Sequence, residues 1–189
     1  MAAAPTITSQ WIAFLRAINV GGHTVKMDHL RTLFAALGLG NVETFIASGN
    51  VIFEAPTPPN VHALEQQIER HLQQSLGYSV ATFLRSPAEL AAIAQRQPFA
   101  PAELAGEGHA LYVAFLPAPP TAEAQHKLLS FQNAVDAFHV HGREVYWLAR
   151  KRISESTFSG ALLEKTLGLP ATMRNITTVR KLAAKYPPL

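Results

Sequence analysis

The order of apolar and polar positions predicts the same series of elements twice along this chain. Nearly continuous apolar runs indicate strands that are covered on both faces, and apolar residues three or four positions apart indicate amphipathic helices. The first series has predicted strands at 11–18, 42–46, 51–53 and 78–84 and predicted helices at 27–37 and 61–76. The second series has predicted strands at 110–116, 137–140, 144–149 and 170–173 and predicted helices that follow Thr121 and Ser159. Each series runs strand, helix, strand, strand, helix, strand.

This element order indicates a split-βαβ, or ferredoxin-like, unit. We therefore predict an α+β fold made of two tandem ferredoxin-like (βαββαβ) units, at 11–85 and 110–189, with an extra C-terminal helix at 176–186. Residues 86–109 open with Ser-Pro-Ala-Glu, a capping box, and are predicted to form a linker helix and a loop. Residues 1–10 are predicted to be a flexible N-terminal tail, since they lack the basic start and apolar stretch of a signal peptide.

Composition narrows the chemistry that this chain can support. Its 189 residues are 48% hydrophobic and 15% charged, which is typical of a folded chain with one domain or two small ones. The absence of cysteine excludes disulfides, thiolate zinc sites, iron–sulfur clusters and cysteine nucleophiles. The aspartates Asp28 and Asp136 are too far apart for a DxD metal pair, and His139-x-His141 has no third ligand nearby. We predict neither a metal nor a cofactor.

Apolar segments of this chain are short. The longest runs are about seven or eight residues, whereas a membrane-spanning helix needs roughly 20. We therefore expect no membrane association and a cytoplasmic location.

Positive charge is concentrated in the last quarter of the chain. The net charge of the whole chain is +3, but residues 141–189 contain nine Lys or Arg against three Glu. A basic region of this kind attracts nucleic acid, phosphorylated small molecules or an acidic partner. A solvated basic helix end is the alternative interpretation.

Two basic segments of the second unit are predicted to meet at one end of its sheet. The loop after the third strand, 150–156, and the end of the fourth strand, 172–175, fall at the same end when the crossovers are right-handed. Asn175 is predicted to cap the last helix, whose N-terminus carries about half a positive charge. The predicted anion-binding residues are Arg150, Lys151, Arg152, Arg174 and Asn175. Alternatively, Arg174 pairs with Glu155 or Glu164, and Asn175 serves only as a cap.

Two glycine-containing loops of the first unit are also predicted to be neighbours. The first and second strands of a βαββαβ unit run in the same direction, so the loops 19–23 and 48–50 share one edge of the sheet. Such loops expose backbone N–H groups to an anion. The predicted anion-binding residues here are Arg16, Asn19, Gly21, Gly22, Ser48 and Asn50. His23 is the candidate general acid or base. Alternatively, the glycines serve backbone geometry, since there is neither a Walker A motif nor a GxGxxG motif.

Several sequence motifs, in order, are similar to those of a bacterial protein family. WIAFLRAINVGG, NVETFIASGNVIFEA and the closing TMRNITTVRKLA resemble the domain-of-unknown-function-1697 family, and the resemblance extends from about Trp11 to Ala184. Ala17 stands where the family usually has glycine, and Ile176 stands where it often has tryptophan. The resemblance implies tandem ferredoxin-like folds, and it implies no reaction, cofactor or substrate.

Three functions remain open on these residues. The favoured hypothesis is a binding module for an anionic ligand, either nucleic acid or a phosphorylated small molecule. The second is a small enzyme for a phosphate- or carboxylate-bearing substrate, with His23 acting beside Ser48 or Asn50. The third is a structural or interaction protein whose sheets pack on each other within the chain or across a homodimer.

Overall fold

The computed structural model describes residues 8–19, 21–56 and 60–188. Over these residues the chain is a mixed α/β protein with two four-stranded antiparallel sheets and seven α-helices. It divides into two compact units, one reaching to Glu89 and including Pro188, the other covering Leu90–Pro187. None of the helices in these ranges is long and apolar enough to span a membrane.

The first unit is built on one sheet and two helices. Its elements are β1 (Thr8–Leu15), α1 (Met27–Ala36), β2 (Gly40–Thr44), β3 (Asn50–Pro56), α2 (Val61–Leu76) and β4 (Thr82–Arg85). β1 lies between β3 and β4 and is antiparallel to both, and β2 lies at the edge beside β3. β1 and β2 therefore run in the same direction, and their C-terminal ends lie at the same end of the sheet. Leu30 and Phe34 of α1 and Ile68 and Leu72 of α2 are fully buried in one core with residues of β1 and β3.

The second unit repeats this strand order. The chain continues through α3 (Pro87–Gln95), α4 (Pro101–Leu104), β5 (Ala110–Phe115), α5 (Ala122–Leu129), β6 (Asp136–His141), β7 (Glu144–Ala149), a 3-10 helix (Ile153–Glu155), α6 (Gly160–Leu167), β8 (Thr172–Asn175) and α7 (Ile176–Lys185). β5 lies between β7 and β8 and is antiparallel to both, so β7 and β8 end at the same edge. The core of this unit surrounds Trp147, whose fully buried ring lies 5.9 Å from that of Phe138 and 5.2 Å from that of Phe158.

Element bounds differ from the predicted ones where pairing with a neighbouring strand decides them. Thr8 and Ser9 pair with the end of β3, so β1 begins within the predicted tail, whose residues 1–7 lie outside the described part of the chain. The fourth strand begins at Thr82 rather than at Tyr78. The capping box of α3 is confirmed, because the Ser86 backbone N–H donates to Glu89 Oε2 over 2.8 Å.

Glutamates of α2 and α6 bind backbone N–H groups at the outer edges of both sheets. Glu65 and Glu69, one turn apart on α2, accept hydrogen bonds of 2.8 Å from the backbone N–H groups of Leu84 and Thr82 on the edge strand β4. In the second unit, Glu164 of α6 accepts 2.7 Å from the backbone N–H of Ala171, just before β8. Burial raises the pKa of the Glu69 carboxyl above its ordinary value, and the Thr82 N–H opposes this in part. These carboxylates satisfy donors that an edge strand otherwise presents to another chain.

Candidate functional site

The two glycine-containing loops of the first unit are in contact, as the strand directions predicted. The side-chain amide of Asn19 donates through Nδ2 to the Ala47 carbonyl over 3.3 Å. Its Oδ1 accepts from the Val25 backbone N–H over 2.7 Å. The Leu15 N–H donates to the Gly49 carbonyl over 2.8 Å. Asn19 therefore has a structural role, because both ends of its amide hold the loops together.

Left-handed backbone explains why glycines occur in these loops. Gly21 and Gly22 have φ of +66° and +87°, and Gly49 has φ of +73° with the Ile18 side chain only 2.7 Å from where a Cβ would lie. Ala17 also has a positive φ, of +58°. An L-residue pays about 1–2 kcal/mol in this region, which glycine avoids. A glycine in place of Ala17 would avoid this cost.

The candidate acid–base group of the first unit stacks on an aromatic ring. The exposed His23 ring stacks on Tyr78, with centroids 3.8 Å apart and planes 19° apart. Asn50 is fully buried, and its Nδ2 donates to the Phe45 carbonyl over 3.0 Å and to Ser48 Oγ over 2.8 Å. In the described residues, His23 shares no hydrogen bond with Ser48 or Asn50. The structure thus brings Ser48 and Asn50 together as a hydrogen-bonded pair within the turn.

Arg16 follows the end of β1 at the same edge. Its backbone N–H donates to the Ala81 carbonyl over 2.9 Å, and the residue is half-buried. The backbone bond fixes where the arginine leaves the strand, beside the first glycine-containing loop.

Two of the basic residues predicted in the second unit, Arg150 and Arg174, have hydrogen-bond acceptors within the protein. β7 and β8 do end at one edge, but Arg150 Nη2 is 2.9 Å from Glu103 Oε1 in a salt bridge. Arg174 is 8% exposed, and its Nη1 donates over 2.8 Å to both Thr172 Oγ1 and the Met173 carbonyl. Burial lowers the pKa of Arg174 to about 10. Both guanidinium groups therefore already have protein acceptors, which for Arg150 include the carboxylate of Glu103.

The remaining predicted residues of this unit divide into two kinds. Lys151 and Arg152 are exposed side chains in the loop that follows β7. Asn175 caps α7 as predicted, since its Oδ1 accepts from the Thr177 N–H over 2.9 Å. Of the predicted set, Asn175 lines the cavity described next.

That cavity lies where β8 passes into α7 and has a volume of about 210 Å³. Its lining comes from α4, the residues that open β5, the end of β7 and the start of α7. The lining residues are Leu104, His109, Ala110, Leu111, Leu148, Asn175, Ile176, Thr177 and Arg180. Among these described residues none is acidic. The sole formal charge of the lining is therefore positive.

Two features of the lining, the charge of Arg180 and the start of α7, favour an anion. Arg180 is exposed and donates through Nε to the Ala94 carbonyl over 3.4 Å, a contact that leaves its two Nη nitrogens for other acceptors. The N-terminus of α7 adds partial positive charge. His109 Nδ1 lies 2.7 Å from the Glu103 carbonyl, and because a carbonyl only accepts, this nitrogen carries the proton. The contact holds the imidazole in place through Nδ1, and in this tautomer Nε2 accepts hydrogen bonds, so His109 contributes no donor for an anion.

Sequence reasoning missed Arg180 and His109, although each had a signal. Arg180 is four positions after Ile176, so the two share one face of the predicted last helix. His109 directly precedes the predicted strand at 110, and the start of this strand lies at the same edge as the end of its antiparallel neighbour, β8.

The His139-x-His141 pair has other contacts. Arg96 Nη2 lies 2.7 Å from His141 Nε2, and since arginine only donates, that nitrogen accepts. Burial, with smaller contributions from Arg96 and His141, lowers the pKa of His139. Within the described ranges, no three His, Asp or Glu side chains are grouped as a metal site.

Comparisons with known proteins address the fold and the family. The similarity to a solved structure, a conserved bacterial protein from Streptococcus pneumoniae, has a TM-score of 0.70 at 20% sequence identity and covers 94% of this chain and 98% of that one. At that identity the likeness shows the fold alone. A comparison with curated proteins found no match. A family model described as "Protein of unknown function (DUF1697)" matches residues 8–146. Because this match covers well over half of the chain, the chain belongs to the DUF1697 family, as its sequence motifs indicated.

Proposed function

We propose that this chain binds a small anionic ligand, one that carries a phosphate or a carboxylate, in the cavity at the start of α7. The observation that carries the proposal is the lining itself. It combines Arg180 with the hydroxyl of Thr177 at the start of α7, and none of its described residues is a carboxylate that would compete for the cation. A buried or half-buried anion is stabilised by charge-assisted hydrogen bonds of this kind.

The size of the cavity favours a small molecule over nucleic acid. Sites for drug-sized ligands have volumes of about 300–1,000 Å³, and this cavity has about 210 Å³. Nucleic acid, in contrast, needs a row of exposed cations along its phosphates. Arg150 and Arg174, which would have belonged to such a row, already have protein acceptors.

The test is calorimetric titration of the full chain with inorganic phosphate, in the wild type and in two variants. Arg180→Ala should weaken binding about tenfold or more, because a hydrogen bond to a charged group contributes about 1.5–3 kcal/mol. Lys181→Ala is the matched control, since it removes the same charge from the next, exposed position of α7. We expect its affinity to stay within about twofold of the wild type.

Two results would contradict the proposal. If Arg180→Ala binds phosphate as the wild type does, the cavity is not the site. If both variants lose affinity equally, the helix attracts anions through its net charge without a specific site. A single-stranded RNA oligonucleotide that binds more tightly than phosphate, in the wild type and in Arg180→Ala alike, would favour nucleic acid instead.

We also propose that both units are ferredoxin-like and form a tandem repeat. Two observations support this: the order βαββαβ occurs twice, and each sheet places its first strand between the third and the fourth. Arg85 and Arg174 add a residue-level correspondence. Both are buried near the end of a fourth strand, and each donates through Nη1 over 2.8 Å to the carbonyl of the preceding residue. An experimental structure in which the two sheets and their helices fail to superpose would refute the repeat.

A further inference from the structure

The same cavity has an apolar side that an anion by itself leaves uncovered. Leu104, Leu111, Leu148 and Ile176 line it together with the polar residues described above. Leu111, Leu148 and Ile176 are buried, and Leu104 of α4 is half-buried. Water against such a wall is displaced favourably by an apolar group.

The volume of the cavity also exceeds what a bare anion needs. About 10–15 Å³ of such space holds one water molecule, whereas the cavity has about 210 Å³. A phosphate ion of five heavy atoms next to Arg180 would leave most of this volume, including the part beside Leu104, to water. The cavity therefore fits a ligand with an anionic end and a compact apolar body.

We infer that the ligand is an amphipathic organic anion: a phosphate monoester or a carboxylate whose organic part is a single ring or a short branched chain. The inference rests on the proposed function and specifies its ligand class. The anionic group is placed by Arg180 and the start of α7, and the organic group lies against Leu104 and the buried leucines. Specificity then comes from the apolar wall, while the anion fixes the orientation.

The experiment compares two matched pairs of probes by calorimetric titration of the full chain at fixed pH and ionic strength. Phenyl phosphate is compared with inorganic phosphate, and benzoate with acetate. In the wild type we expect the aromatic member of one pair to bind about three- to fivefold more tightly than its small partner. The pair that shows this preference identifies whether the anionic group is a phosphate or a carboxylate.

Substitution of the apolar wall separates its contribution from that of the cation. Leu104→Ala should reduce the preference for the aromatic probe at least about threefold and leave the affinity for the small anion unchanged. Leu104→Met keeps an apolar side chain of similar volume and should retain the preference. Arg180→Ala should weaken both members of the pair together, and Lys181→Ala should change neither.

The outcomes distinguish this inference from the proposed function. Equal binding of the aromatic and the small probe in the wild type overturns the inference and leaves anion binding intact. Loss of both probes in Leu104→Ala, with circular dichroism unchanged, also overturns it, because the leucine would then only shape the site. If no probe binds, or if Arg180→Ala binds as the wild type does, the proposed function fails and the inference fails with it.

Discussion

A sharp test of the second unit is to remove the carboxylate of Asp136. This side chain is fully buried, its Oδ1 accepts from Trp147 Nε1 over 2.8 Å, and its Oδ2 accepts from Ser156 Oγ over 2.7 Å. The carboxylate thereby links the centre of the core to the loop that follows β7. Asp136→Ala removes both acceptors and leaves the Trp147 indole N–H buried without a partner.

The magnitude follows from these contacts. Each hydrogen bond to a charged group contributes about 1.5–3 kcal/mol, and an abandoned buried donor costs about 1–3 kcal/mol. Ser156 is half-buried, so water can replace part of its loss. We expect Asp136→Ala to lower the free energy of unfolding by about 3–5 kcal/mol. Asp136→Asn keeps an oxygen for Trp147 and should cost about 1–2 kcal/mol.

The assay is urea unfolding followed by the fluorescence of Trp147 in a Trp11→Phe background. The chain has two tryptophans, so this background makes Trp147 the single reporter. The replacement is mild, because Trp11 Nε1 is buried without a hydrogen-bond partner among the described residues. The control is Asp28→Ala, which removes the other aspartate of the chain, an 87% exposed partner of Arg31. We expect the control to change the free energy by less than about 0.5 kcal/mol. A loss below about 1 kcal/mol for Asp136→Ala would refute the reasoning.

Two further predictions concern backbone strain and pH. Ala17→Gly should raise the free energy of unfolding by up to about 1 kcal/mol, because it relieves a left-handed alanine. Ala35→Gly, at an exposed position inside α1, should lower the free energy of unfolding by about 0.5–1 kcal/mol. If both substitutions change the free energy in the same direction in urea unfolding, the left-handed conformation of Ala17 is contradicted. The raised pKa of folded Glu69 means that its contribution to stability is fully present below the unfolded value of 4.5 and is lost as the pH rises through the folded pKa. Glu69→Gln still accepts from Thr82 and removes this loss, so its stability relative to the wild type should increase from pH 4 to pH 7; a constant difference would argue against it.

Much of the fold was predictable because it is written in local periodicity. Apolar spacing along 27–37 and 61–76 located α1 and α2, and glycines after them marked their ends. The strand bounds were less accurate because partners far along the chain set them. Thr8 belongs to β1 through its register with Pro56, which lies 48 positions later. Tyr78 is a residue type that is common in strands, but it precedes β4 and stacks on His23 instead.

Only those parts of the candidate site that depend on strand direction or on residue type were predictable. Direction alone places the ends of β7 and β8 at one edge, and the cap at Asn175 follows from its residue type. The partner of Arg150 was not predictable, since Glu103 lies 47 positions away in a four-residue helix. The burial of Arg174 was not predicted, because the predicted fourth strand ends at Met173, whereas β8 extends to Asn175 and takes Arg174 into the sheet.

The helix glutamates that bind the outer strands have a consequence for self-association. If a strand of a second copy were added beside β4 or β8, it would meet backbone N–H groups that already donate to glutamates of the first copy. These glutamates are Glu65 and Glu69 at β4 and Glu164 beside β8. An added strand would have to displace two carboxylates at β4, or one beside β8, to pair with these N–H groups. Growth of a sheet across molecules is thereby directed to the opposite borders, β2 and β6. There, β2 is interrupted by a register shift between Gly40 and Glu43, so the β6 border offers the more regular ladder.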